Sequence, residues 1–383
     1  MRFPGFTGEW EVKKLGEIAD VSKLAGYEFT KHIVYEEEGK IIALRGLNIK
    51  NNKLNLSDVK FIDNSDFSKL NRSKLYIDDL MFTYIGTIGE VALIEENDRF
   101  YLAPNVSRIR ADKSKILPKF LLQYFNQPNF KNIEISKYIS SSSQAALTMG
   151  NVRKFTILLP RLEEQTKISS FLSLIDERIQ TQIKIIEELK LLKNTLSKKI
   201  FSRQLRFKDD NRNDYPEWQY KKLGELATIT TGSSNREDSV LDGEYTFFDR
   251  SQDVRTSKRY LFNKEAVIVP GEGQKFIPKY FIGKFDLHQR TYAIFDFIGL
   301  SGKYLYYHMV IDENHLQSQS VGSTVKSLRL PMFQSMPIKL PSLAEQIKIA
   351  DFLSYSDSKT DVETELLKKL EEQKIYLLQN LFI

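Results

Sequence analysis

What most constrains this chain is one stretch written twice. Leu159-Pro160-Arg161-Leu162-Glu163-Glu164-Gln165-Thr166-Lys167-Ile168-Ser169-Ser170-Phe171-Leu172-Ser173 returns 181 residues later as Leu340-Pro341-Ser342-Leu343-Ala344-Glu345-Gln346-Ile347-Lys348-Ile349-Ala350-Asp351-Phe352-Leu353-Ser354, with 10 of the 15 positions identical. A repeat this close and this far apart marks a duplicated architectural unit. A second pair supports it. Trp10-Glu11-Val12-Lys13-Lys14-Leu15-Gly16-Glu17-Ile18-Ala19 returns as Trp218-Gln219-Tyr220-Lys221-Lys222-Leu223-Gly224-Glu225-Leu226-Ala227, with 7 of 10 positions identical. Arg2-Phe3 precedes the first and Arg206-Phe207 the second. The chain therefore reads as lead-in, variable domain and long helix, then the same series again.

At 383 residues, 41% of them apolar, the chain has room for two or three domains with real cores. Lys and Arg number 56 against 50 Asp and Glu, which tilts the balance toward a polyanionic partner without identifying it. The absence of cysteine excludes disulfides and thiolate-ligated metals and fits a reducing cytoplasm. The opening residues lack the apolar core of a signal peptide, and no run of about 18 apolar residues crosses a membrane.

The two middles read as α+β and sheet-rich. Ile41–Arg45, Leu80–Ile85 and Val91–Ile94 carry the β-branched and aromatic residues of strands, with Gly86-Thr87-Ile88-Gly89 as a turn. Pro118–Phe125 reads as a helix with Pro118 in its first turn. In the second copy Ala266–Gly271 takes the place of the Leu80 strand and Lys303–His308 that of the Lys119 helix. Ser140–Gln144 and Val321–Lys326 are matching polar loops. A retained framework with differing loops is what two readers of different targets need.

The expected division is 1–158, first domain; 159–206, central helix; 207–339, second domain; and 340–383, C-terminal helix. In the central helix Leu172, Ile175, Ile179, Ile183, Ile186, Leu189, Leu192, Leu196 and Ile200 form one apolar face, as do Val362, Leu366, Leu370, Leu377 and Leu381 in the other. Ser356, Thr360 and Thr364 stand where Ile175, Ile179 and Ile183 stand in the first copy, which predicts an uneven seam. Asp176 to Ile200 spans roughly 38 Å as helix, about one turn of B-DNA.

The duplicated Trp10–Ala19 and Leu159–Ser173 motifs, in order and with two diverged middles, resemble the specificity subunit of type I restriction–modification enzymes over essentially the whole chain. The resemblance implies two target recognition domains in a pseudo-twofold duplication, each reading half of a split site in double-stranded DNA. Two long antiparallel helices would fix the spacer and hold two methyltransferase subunits, with restriction subunits joined through them. S-adenosylmethionine, ATP and Mg would belong to those partners. In the assembled complex the activities implied are adenine-N6 methylation and site-specific DNA cleavage.

The residues themselves offer no catalytic centre. The chain lacks an Asn/Asp-Pro-Pro-aromatic base grip and a Gly-x-x-x-x-Gly-Lys-Ser/Thr phosphate cradle. His32, His288, His308 and His315 have no metal-ligand spacing, and Glu188-Leu189-Lys190 reads as a solvated helix face. No cofactor or metal is expected in this chain.

Between Asp249 and Arg290 nine basic residues face five acids, which suits phosphate attraction. Arg pairs with guanine O6/N7, and Asn or Gln with adenine N6/N7. On that chemistry the DNA-reading candidates of the first domain are Arg45, Asn48, Tyr84, Thr87, Asn105, Arg108, Ser142 and Gln144. Those of the second are Ser233, Asn235, Arg250, Gln252, Gln274, Lys275, Gln289, Arg290, Thr324 and Lys326. Glu164-Gln165 and Glu345-Gln346 have two readings, as caps that complement the helix dipole or as partner-docking surface. Phe171, Leu172, Phe352 and Leu353 read as packing at the helix roots. Three alternatives stay open: an enzyme acting alone, a protein-binding scaffold, or the specificity subunit of a bipartite system whose single partner both methylates and cleaves.

Overall fold

The computed structural model describes residues 2–3, 5–24, 31–139 and 146–382. The chain forms two compact units, residues 1–183 with 365–383, and residues 184–364. The helices are thus not bodies of their own, as the four-part division had them; each contributes one half to each unit.

In unit 1, β1 (Glu11–Lys14), α1 (Leu15–Ile18) and β2 (Ala19–Lys23) lead into β3 (Ile42–Leu44), the small hairpin of β4 (Ile49–Lys50) and β5 (Lys53–Leu54), and β6 (Lys60–Phe61). Then come β7 (Asp79–Thr83), β8 (Val91–Leu93), β9 (Phe100–Leu102), β10 (Val106–Ala111), α2 (Pro118–Phe125), α3 (Met149–Arg153), β11 (Thr156–Leu159) and the 40-residue α4 (Leu162–Phe201). A four-stranded sheet runs β2-β10-β7-β8, a three-stranded one β6-β3-β9, and β1 pairs with β11. Every residue of β7 is buried. Alternation sends Leu80 and Phe82 to a core shared with α2 and the long helices, and Met81 to a core shared with β3 and β9. The α2 helix forms where predicted: Pro118 starts it, and Phe120, Leu121, Tyr124 and Phe125 form its buried face. Each such side chain contributes about 1.5–3 kcal/mol.

Unit 2 has β12 (Gln219–Lys222), β13 (Thr228–Thr231), β14 (Tyr245–Phe248), β15 (Arg255–Ser257), β16 (Phe262–Pro270), β17 (Glu272–Gly273), β18 (Lys279–Leu287) and β19 (Thr291–Phe295). They are followed by α5 (Gly302–Ile311), α6 (Glu313–Gln319), β20 (Lys326–Ser327), α7 (Leu330–Gln334), β21 (Pro337–Leu340) and α8 (Leu343–Asn380). Its main sheet is six-stranded, β13-β19-β16-β18-β14-β15, while β12 pairs with β21 and β17 with β20. The four-strand order of unit 1 recurs as β13-β19-β16-β18, with Val267 and Val269 facing the helical core as Leu80 and Phe82 do.

The duplicated motifs turn out to be a clamp. In unit 1 Arg2 donates to Glu164 at 2.9 Å through Nε and Nη2, and Phe3 meets Phe171 edge-on at 5.6 Å. In unit 2 Arg206 donates to Glu345 at 3.2 and 2.9 Å, and Phe207 meets Phe352 at 5.7 Å. Gln165 accepts from the Leu117 N–H at the head of α2 and donates to the Lys115 and Pro160 carbonyls. Gln346 does the same for Ser301, Gly299 and Pro341 at the head of α5. Trp218 Nε1 donates to Glu345 at 3.0 Å, whereas Trp10 Nε1 is buried without a partner among the described residues.

The seam between the long helices departs from the periodic reading. Ile175, Ile179 and Ile186 are buried, but Leu192 is 54% and Val362 67% exposed, and Leu366 is exposed too. In their place the helices share one ion pair, made once in each unit. Asp176 of α4 binds Lys374 of α8 in unit 1, and Asp357 of α8 binds Lys193 of α4 in unit 2. The leading half of each helix therefore lies against the trailing half of the other, and they run antiparallel. The polar Ser356 and Thr360 hydroxyls bond back to carbonyls one turn earlier, at Phe352 and Ser356.

Candidate nucleic-acid interface

In unit 1 three strand ends converge on one cleft of about 930 Å³. Arg45 and Gly46 leave β3, Gly86-Thr87 turns between β7 and β8, and Pro104-Asn105 joins β9 to β10. The structure thus brings Arg45, Thr87 and Asn105 together. Arg45 Nη2 donates to the Asp58 carboxylate at 2.9 Å and the Asp58 carbonyl at 3.0 Å, while its buried Nε has no partner among the described residues. Asn105 sits at φ +68°, a left-handed conformation that Asn adopts more readily than most residues. Tyr84 is buried beside the cleft, with the Lys23 ammonium 5.4 Å from its ring centroid.

Two candidates of unit 1 do other work. Asn48 is fully buried: Oδ1 accepts from the Arg45 N–H, and Nδ2 donates to the Asn55 and Asp58 carbonyls. It staples the turn after β3 and has no atom left for a base. Arg108 is 7% exposed, paired with Asp20 at 2.5 Å and donating to the Arg72 carbonyl at 3.2 Å. It closes the β2–β10 sheet from inside. Ser142 and Gln144 lie outside the described residues.

In unit 2 the equivalent strand ends carry charge. Arg250 follows β14, Arg290 precedes β19, and both guanidiniums bind one carboxylate, Glu272, in the turn after β16. Arg290 Nη1 reaches its two oxygens at 2.8 and 2.9 Å, and Arg250 Nη1 reaches Oε2 at 3.2 Å. The Arg290 N–H donates to His288 Nδ1 at 3.0 Å, which fixes the backbone there. Burial lowers the His288 pKa, with Asp249 opposing and Arg250 next to it reinforcing. Gln289 and Asn235 hold each other at 2.7 Å. Ser233, Gln252, Gln274, Lys275 and Thr324 are exposed on loops. Lys326 reaches the same turn because β20 pairs with β17, Gly273 opposite Lys326.

Sequence reasoning missed Glu272 and Lys279. Glu272 lies in Gly271-Glu272-Gly273, and a charged residue between glycines at a strand end was the available signal. Lys279 donates to the Ser251 carbonyl at 2.8 Å and spans the Phe248 ring, and burial lowers its pKa against the pull of Asp249 and Asp253.

Of the two readings for the Glu-Gln pairs, the structure removes docking surface. Glu164, Gln165, Glu345 and Gln346 are all buried and spend their polar atoms inside the clamp. Among their charged residues the helices also expose apolar ones: Leu174, Ile375 and Tyr376 in unit 1, and Leu191, Leu192, Tyr355 and Val362 in unit 2. Among the described residues no helix is long and apolar enough to cross a membrane.

Two sheet-rich units with one framework, each clamped to the start of its own long helix and differing at the strand-end loops, define a duplicated recognition protein. The family described as "Type I restriction modification DNA specificity domain" matches residues 7–191 and 215–372, and the chain belongs to that family. A putative type I restriction enzyme MjaX specificity subunit of Methanocaldococcus jannaschii is 25% identical over 396 aligned residues, covering 96% of this chain and 91% of that one. The EcoDI specificity subunit of Escherichia coli is 32% identical over 137 residues, 36% of this chain and 30% of its own. The crystal structure of a type I restriction–modification S subunit from M. genitalium shares the fold at a TM-score of 0.64 and 15% identity, covering 100% of this chain and 99% of that one. A chain from a structural study of type I complex assembly and conformational transition matches at 0.60 and 17% identity, covering 98% of both.

Proposed function

We propose that this chain is the DNA-reading subunit of a type I restriction–modification complex, each unit reading one half of a bipartite duplex site. The observation that carries this is the pairing of a clamp shared by both units with divergent chemistry at matched strand ends. An apolar-walled cleft with Asn105 stands in one unit, and the Arg250–Glu272–Arg290 cluster in the other. The long helices set the spacer and dock two methyltransferase subunits, and restriction subunits join through these. The exposed apolar residues of α4 and α8 replace the Glu-Gln pairs as the docking surface. The chain itself takes no cofactor and catalyses nothing; S-adenosylmethionine, ATP and Mg are held by the partners.

The test is to replace residues 207–339 with the second domain of another family member and map methylated adenines in the host genome. One half-site should change while the other stays. An unchanged motif overturns the assignment. Methyl transfer by the rigorously purified chain overturns the non-catalytic reading.

A further inference from the structure

We infer that one architectural position reads a different base in each unit: Asn105 reads an adenine and Arg290 a guanine. The inference rests on the DNA-reading function proposed above and assigns its chemistry.

The equivalence comes from the backbone. In unit 1, β3 pairs in parallel with β9, Leu44 opposite Leu102, and the Ala103 N–H donates to the Leu44 carbonyl at 2.9 Å. In unit 2, β14 pairs in parallel with β18, Phe248 opposite Leu287, and the His288 N–H donates to the Phe248 carbonyl at 2.9 Å. Two residues after each of those N–H groups come Asn105 and Arg290, directly before β10 and β19. By the same register Gly46 matches Arg250. Unit 1 is closely packed there, since a Cβ on Gly46 would lie only 3.3 Å from the Asn105 carbonyl oxygen.

The side chains present different hydrogen-bonding edges. Adenine offers an acceptor at N7 and a donor at N6 in the major groove, so its reader needs one donor and one acceptor. The Asn105 amide has both, and among the described residues its side chain makes no hydrogen bond. Guanine offers two acceptors, O6 and N7, so its reader needs two donors in a fixed fork. Arg290 spends only Nη1 on Glu272, which leaves Nη2 and Nε. Glu272 also argues against a phosphate role. One carboxylate shared by two guanidiniums removes half their charge, which weakens attraction to a charged phosphate more than hydrogen bonding to the neutral guanine edge. Glu272 is a positioning residue: it holds both forks in place before DNA arrives.

The experiment uses the full chain in its host with its native partners. Methylated adenines are mapped genome-wide for the wild type, a deletion, Arg290→Asn, Asn105→Ala and Glu272→Gln. The expected wild-type motif has a G·C pair in one half-site. Arg290→Asn should shift or relax that pair, with discrimination against A·T falling roughly tenfold or more. Asn105→Ala should relax one A·T pair in the other half-site, each variant leaving the opposite half intact as its folding control. Glu272→Gln should weaken discrimination at the same pair as Arg290→Asn. An unchanged motif in Arg290→Asn, a uniform loss across all sites, or a half-site without G·C overturns the inference while the function stands. Deletion that removes no bipartite motif overturns the function itself.

Discussion

Unit 1 splits its strands between a four-stranded and a three-stranded sheet, whereas unit 2 carries the equivalent strands in one sheet of six. The difference lies in one connection. Leu93 and Leu102 of unit 1 correspond to Tyr280 and Leu287 of unit 2, so unit 1 has two more residues between them. Those residues break one long strand, β18, into β8 and β9. The sheets then part over a core of their own, with Met81 on one wall and Leu44 and Leu102 on the other. The clamp residues, by contrast, are retained almost atom for atom. Selection on recognition has freedom at the strand ends because stability is anchored elsewhere.

The largest expected contrast lies within that clamp. Glu345 accepts from Arg206 and Trp218, while Glu164 accepts from Arg2 and Trp10 Nε1 has no partner among the described residues. Glu345→Ala should destabilise unit 2 by about 3–5 kcal/mol, and Glu164→Ala should cost unit 1 less. Urea unfolding reads each unit separately, because Trp10 and Trp218 are the chain's two tryptophans and either can be changed to Phe. Equal losses would break the comparison.

Next is acid sensitivity. The backbone N–H of Leu158 donates to the Tyr124 hydroxyl in unit 1, and that of Lys339 donates to His308 Nε2 in unit 2. Burial, with Lys339 adding to it, lowers the His308 pKa to about 4. The fold therefore prefers neutral imidazole. This stability is full above the unfolded pKa near 6.5 and is lost as pH falls through the folded value. The loss should reach roughly 3 kcal/mol for unit 2 and be absent from the same position in unit 1. Thermal melts of wild type and His308→Tyr between pH 7 and 4 check it; parallel curves would refute it.

The glutamines should behave alike. Gln165 and Gln346 are buried and each make three hydrogen bonds, so Gln165→Leu and Gln346→Leu should each cost about 2–4 kcal/mol. A difference above about 1 kcal/mol between them in the urea assay would show that the clamps are not equivalent. Smallest is the interhelical pair. Asp176→Asn and Asp357→Asn should each cost under about 1 kcal/mol, because the pairs are partly exposed. A large loss from either would make the ion pair, not apolar packing, the main link between the helices.

Much of this molecule was legible from spacing. The duplication, the strands at Leu80 and Ala266, and the helix opened by Pro118 follow from local pattern, because alternation, turn residues and a proline's fixed φ act within a few residues. The converging strand ends were partly legible, since Arg45 and Arg250 each stand where an apolar strand stops. The helix seam was less so. Leu192 and Val362 at helical spacing satisfy periodicity whether or not a neighbour covers them, and here both are more than half exposed.

The sequence by itself determined the repeat, the element types and the family. Only the tertiary structure decided which polar side chains face a ligand. Asn48 and Arg108 have the right chemistry to read a base, yet Arg108 is held by Asp20, 88 residues away, and Asn48 by the turn it staples. Glu164 and Glu345 look like solvated helix starts until Arg2 and Arg206 arrive from 162 and 139 residues away. A buried polar group must be matched by a partner, and the partner's place in the chain is set by the fold, not by local pattern.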